Sequence, residues 1–289
     1  TKSIYLFLFL RFIQGLAGSA GIVIARAVVR DHYSGTEMTK FFALLMLVSG
    51  VAPMAAPVMG GFVLHFTAWQ GVFVLLGLLG IIQTLAVLWK LPESLHPMAR
   101  QTGGIRQTLS TMASLFTDRV FMGYVCVQGF VFSALFAYIS GSSFVFQDLY
   151  GLSPQAYSAV FAFNSFGLLL ARQFSASLCV RLGERKVLAA SVGIVMIGSI
   201  AFLFMVFFGA GFWWVVATLF IVVSSIGTIA PPCTSLALQN QGHRAGSASA
   251  LLGLIQMALG AFSTPLVGLG GSQTAVPMAI VIASTSLLA

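Results

Sequence analysis

An arginine, a glutamine and two prolines embedded in apolar runs are the residues whose types and spacing could do chemistry in this chain. Arg11 and Gln14 lie one helical turn apart in the apolar segment 4–27. They share a stripe of small residues with Gly15, Gly18, Ile22 and Ala25, away from the bulky Phe7, Phe9 and Phe12. A positive charge in hydrocarbon is costly, so Arg11 must face protein or a water-filled cavity. It serves there either as a fixed charge beside a proton or ligand path, or as a group satisfied by helix-end carbonyls. In the next segment, 40–64, Gly50, Pro53, Pro57, Gly60 and Gly61 fall on one face, at offsets 0, 3, 7, 10 and 11. Proline removes a backbone donor and kinks a helix, and glycine permits close approach. That face suits a helix that bends or seals against a neighbour.

Softer signals follow. Gln128, Phe132 and Leu135 share a helical face. So do Asn164, Gly167, Ala171 and Ser175, and also Gly246, Ser249, Ala250, Gly253, Gln256 and Gly260. Helix packing is the plain reading of such stripes. Gln128, Phe132, Asn164 and Gln256 are the candidate ligand contacts among them. The 26 Phe and 11 Met residues can supply an adaptable apolar pocket. Arg172 lies nine residues before Arg181, near enough to snorkel part of the way to the helix end. Functional and structural readings of it stand level.

The elements that must position these residues follow from composition. Hydrophobic residues make up 58% of the 289 and charged residues 7%, against roughly a quarter charged in soluble domains. Apolar segments recur at about 4–27, 40–64, 70–91, 120–141, 154–178, 187–208, 212–236, 246–269 and 275–289, most near the ~20 residues that cross a bilayer. The fold class is an all-α polytopic membrane protein. The last segment is too short to span unless it continues past Ala289, and the chain lacks an initiator Met, so it reads as a piece of a longer protein.

The net charge of +8 does not point to nucleic acid, because the basic residues sit in alternate loops. Arg26, Arg30, Lys40, Lys90, Arg100, Arg106, Arg119, Arg181, Arg185, Lys186 and Arg244 occupy one set of connections, and the opposite side has only Lys2. The basic loops therefore face the cytoplasm. The connection 92–119, with Pro92, Pro97, Gly103 and Gly104, separates three helices in 1–91 from the second bundle in 120–289. Cys126, Cys179 and Cys233 stand singly, and the four histidines fall in separate loops, so no metal site is expected. No nucleophile–base pair or phosphate loop supports an enzyme. The six acids, Asp31, Glu37, Glu93, Asp118, Asp148 and Glu184, all lie in loops or at helix ends.

Arg11-x-x-Gln14-Gly15 resembles the fourth-helix motif of major facilitator superfamily exporters. Ala56-Pro57-x-x-Gly60-Gly61 resembles their fifth-helix antiporter motif, with Ala56 in place of the usual first Gly. The strings RFIQGLAGSAGIVIARAVVRD and LVSGVAPMAAPVMGG are similar to the bicyclomycin/chloramphenicol-resistance type of drug:proton antiporter. Arg181-Leu-Gly183-Glu-Arg185-Lys186 resembles the cytoplasmic loop motif between helices eight and nine, with Val180 where Asp is usual and Glu184 where a basic residue is usual.

The resemblance covers the chain as helices four to twelve of twelve. It implies a monomeric exporter of small amphipathic drugs or metabolites in the bacterial inner membrane, exchanging them for protons without a cofactor. It also implies that three helices precede Thr1 and that the coupling carboxylate lies there, as the partner of Arg11. A facilitator for another small solute and a truncated, non-transporting membrane protein are the alternatives.

Overall fold

The structure is a computed structural model that describes residues 3–32, 35–91, 105–241, 244–269, 271 and 274–289. Every regular element among them is helical. Backbone N–H and C=O groups have no water partner in hydrocarbon, and a helix satisfies them within its own segment. The helices are α1 (Ile4–His32), α2 (Gly35–Phe66), α3 (Trp69–Lys90), α4 (Ile105–Leu115), α5 (Arg119–Ser143), α6 (Pro154–Leu182), α7 (Glu184–Phe207), α8 (Phe212–Leu238), α9 (Ala245–Gly268) and α10 (Val276–Leu288). A π-helical turn, Phe144–Leu149, extends α5.

Nine of these correspond to the nine apolar segments. The tenth, α4, falls in the connection read as a linker, of which residues 92–104 lie outside the described set. Five helices among the described residues are long and apolar enough to cross a membrane. α6 is as long as these, at 29 residues, but more polar, since it carries Gln155, Asn164, Arg172, Gln173 and Arg181.

The chain divides into two compact units, with the division falling inside α2. Unit 1 comprises residues 1–52 and 69–102. In it Phe7 of α1 packs edge-on against Trp69 and Phe73 of α3, with ring centroids 6.3 and 5.7 Å apart. α3 buries none of its residues.

Unit 2 comprises residues 53–68 and 103–289. Its helices are zipped by small residues. A Cβ added at Gly129 of α5 would lie 2.6 Å from Leu259 Cδ1 of α9, and one at Gly260 would lie 3.0 Å from the Phe136 ring. Ser263 of α9 donates to the Ser133 carbonyl at 3.0 Å. α6 meets α8 in the same manner. Gly167 faces Ser224 and Phe220, and Gly227 sits directly against the Leu168 carbonyl and the Arg172 backbone. Hydroxyl bonds tie the group further, Ser175 to the Thr228 carbonyl at 2.9 Å and Thr228 to Ser191 at 2.7 Å. Where lipid competes for apolar contact, close backbone approach and interhelical hydrogen bonds hold helices together.

Helix ends follow the local sequence. Asp118 caps α5, and Ser153 caps α6 with Pro154 in its first turn. Gly183 separates α6 from α7 at φ +87°, backbone that a side chain would strain.

Candidate functional site

Arg11 is held within unit 1. Its Nη1 donates to Gln14 Oε1 at 2.8 Å, the bond expected of residues one turn apart. Its guanidinium also lies 5.5 Å from the centroid of the Phe73 ring, a cation–π contact from α1 to α3. A Cβ at Gly15 or Gly18 would meet nothing within 4 Å among the described residues, so the small stripe beside Arg11 is open.

The proline-glycine face of α2 belongs in its last part to unit 2. The Gly50 backbone and Pro53 are helical, but their side-chain surroundings lie outside the described set. Pro57 and Gly61 meet the start of α6. Ser158 Oγ lies 2.9 Å from the Pro57 carbonyl oxygen and 2.7 Å from that of Pro154 in its own helix. Gln155 Nε2 reaches the Gly61 carbonyl at 3.5 Å. A Cβ at Gly61 would sit 2.7 Å from Ser158 Oγ, so glycine is what allows this approach. A Cβ at Gly60 would meet nothing within 4 Å among the described residues. Ser158 was invisible in the sequence, being one hydroxyl among many in an apolar helix.

The candidate ligand contacts divide. Gln128 Nε2 donates to Gln256 Oε1 at 3.1 Å, and Thr234 Oγ1 donates to Gln128 Oε1 at 3.1 Å, joining α5, α9 and α8. Gln128 and Phe132 also line a cleft of about 60 Å³ with Leu135, Leu168, Arg172 and Gly227. Asn164 is elsewhere: fully buried, its Nδ2 donates to the Tyr138 hydroxyl at 2.9 Å. Of the four, the structure brings Gln128, Phe132 and Gln256 together and places Asn164 in helix packing. Thr234 and Gly227 carried no signal beyond their residue types.

On the side of the basic loops, Gly183, Arg185 and Lys186 line an open cavity of about 400 Å³ with Glu184, Leu236 and Gln239. Arg181 lies in the last turn of α6. A separate relay links two connections, the one before α5 and the one between α8 and α9. Asp118 Oδ1 accepts from the Val120 and Phe121 amides, and its Oδ2 accepts from Gln241 Nε2 at 2.7 Å. Gln241 Oε1 accepts from Arg244 Nε at 2.9 Å, and Arg244 Nη1 donates to Ser114 Oγ at 3.1 Å. The Phe121 amide, with Gln241, the Val120 amide and the Arg244 charge, holds the Asp118 carboxyl below its ordinary range, against the opposing effect of burial. The capping role was readable from an Asp just before an apolar run, but the Gln241 bond was not.

The chain as a whole is similar to known proteins. The profile of the Major Facilitator Superfamily matches residues 1–265. The chain is 39% identical over 280 residues to the MFS-type transporter YdgK of Bacillus subtilis, covering 96% of this chain and 69% of the relative. It is 26% identical to a bicyclomycin resistance protein homolog of Haemophilus influenzae, over 93% of this chain and 68% of the other. It is 24% identical to a chloramphenicol resistance protein of Pseudomonas aeruginosa, over 97% and 66%. Among solved structures, the fucose:proton symporter of Escherichia coli matches 87% of this chain and 66% of its own, with a TM-score of 0.54 at 18% identity, a likeness of fold. The chain thus spans about two thirds of the length of each of these four proteins. With a family profile covering most of its residues and a relative at 39% identity, the chain belongs to the Major Facilitator Superfamily, a family of membrane transporters.

Proposed function

We propose that this chain forms the greater part of a bacterial inner-membrane exporter that moves small amphipathic drugs or metabolites outward in exchange for protons. Relatives named for bicyclomycin and chloramphenicol resistance support the substrate class. The alternation of loops with and without Lys or Arg supports a multi-pass orientation with the basic side in the cytoplasm. The protein works as a monomer, needs no cofactor, and takes its energy from the proton gradient. Residues 1–91 and 120–289 belong to the two helical bundles of such a transporter, joined through the 92–119 connection.

The observation that carries the gating part of this reading is the seating of Gly61 and Pro57 on Ser158. In the proposed orientation α2 runs outward to Phe66 and α6 begins at Pro154, so this contact closes the outer ends of the two helices. The Ser158 hydroxyl has one proton for two carbonyls. It can turn from Pro57 back to Pro154 when α2 withdraws, so opening leaves no buried donor unsatisfied. Proline at position 57 removes one backbone hydrogen bond from α2 and lets that end of the helix bend. Arg11, held by Gln14 and Phe73, supplies a fixed positive charge. A carboxylate that gains a proton loses its attraction to that charge, which shifts the balance between inward- and outward-open states.

The test is chloramphenicol accumulation in cells expressing the full-length transporter, with and without a protonophore. Accumulation that is lowered by the transporter and restored by the protonophore supports the reading. Accumulation unaffected by the transporter would remove it.

A further inference from the structure

Arg172 is exposed and has no hydrogen-bond or ion-pair partner among the described residues. It stands ten residues before the end of α6 at Leu182, Gln128 nine residues after the start of α5 at Arg119, and Gln256 eleven after the start of α9 at Ala245. At ~1.5 Å per residue all three lie about 14–17 Å from the same side, near the middle of a hydrocarbon layer ~30 Å thick. An unpaired guanidinium at that depth is too costly to face lipid and marks a water-filled path or a binding site.

The chemistry of the cleft is one-sided. Its lining is Gln128, Arg172 and apolar groups, including Phe132, Leu135 and Leu168. The Gln128 carbonyl is engaged by Thr234 and one of its amide protons by Gln256, which leaves its second N–H. Arg172 offers the five N–H groups of its fork and no acceptor. What remains open is therefore donors alone, facing an apolar wall. The position of Arg172 is fixed by the close approach of α6 to Gly227, where the glycine meets the Leu168 carbonyl and the Arg172 backbone.

We infer that the cleft between α5, α6 and α8 binds the carboxylate of an amphipathic organic acid, with Arg172 gripping both oxygens and Gln128 donating to one. Planar bidentate recognition is what an arginine fork does best. The volume of about 60 Å³ suits a head group and leaves the apolar tail to lie outside it. This rests on the transport reading and adds amphipathic carboxylates to the substrates that reading names.

The test uses the purified full-length transporter, the probes hexylbenzoate and hexylbenzamide, and titration calorimetry. The wild type should bind the carboxylate roughly 10- to 100-fold more tightly than the amide. Arg172→Gln should lose that preference with the amide affinity unchanged, and Arg172→Lys should keep part of it. Equal binding of both probes by the wild type would overturn the inference, as would an Arg172→Gln variant that weakens both alike. Protonophore-sensitive chloramphenicol efflux is measured in parallel. If efflux persists while the carboxylate preference is absent, this inference falls alone. If neither probe binds and no efflux occurs, the transport reading falls with it.

Discussion

The Ser158 hydroxyl lies 2.9 Å from the carbonyl oxygen of Pro57, in a contact that only a glycine at position 61 leaves room for. The proline-glycine face of α2 thereby has a specific partner in α6. The relationship makes a prediction with a built-in control. Gly61→Ala should slow transport, because its Cβ would meet Ser158 Oγ at 2.7 Å. Adding Ser158→Ala should restore much of the rate, since the nearest remaining atom is Ser158 Cβ at 3.5 Å, an ordinary contact. A double-mutant cycle on transport rate checks this, and strictly additive effects would contradict it.

Pro57→Ala returns a backbone N–H to α2 and stiffens its outer end. The expected outcome is slower exchange together with a raised passive proton leak, read from the decay of an imposed pH gradient in vesicles.

Gly227→Ala forces a methyl group against the Leu168 carbonyl, which is backbone and cannot step aside. The expected loss of stability is about 1–3 kcal/mol, measured as a lowered thermal midpoint of the purified protein. Gly60→Ala, where a Cβ meets nothing within 4 Å among the described residues, should leave the midpoint almost unchanged.

The Asp118 relay makes stability depend on pH in one direction. Its carboxyl titrates lower when folded than when unfolded, because the Phe121 amide and its other partners favour the charged form. The unfolded chain then binds the proton more readily, so the stabilisation is complete above the ordinary carboxylate range and disappears as pH falls through the folded value. Thermal midpoints across the acid range should fall more steeply for the wild type than for Asp118→Asn.

The spans were legible because apolar runs of bilayer length are a strong and local signal. Arg11 in α1 and Pro57 in α2 stood out because Arg and Pro are conspicuous where they are costly. The pairing of Gln128 with Gln256 was not, although each residue was singled out, since nothing in a sequence joins positions 128 residues apart. Ser158 and Thr234 were invisible for a related reason: hydroxyls in membrane helices usually bond their own backbone, and only the fold shows which ones reach across. α4 escaped notice because its neighbouring Pro and Gly residues mark a linker more loudly than eleven residues mark a helix.

Substrate-driven proton movement bears most immediately on the coupling assigned to Arg11. The full-length transporter is reconstituted in vesicles with an acidic lumen and a trapped pH dye, and chloramphenicol is added outside. The lumen should turn alkaline when substrate enters in exchange for protons, and Arg11→Ala should abolish the signal while the protein stays folded. Substrate entry without proton movement, or an undiminished signal from Arg11→Ala, would contradict proton-coupled exchange through this residue.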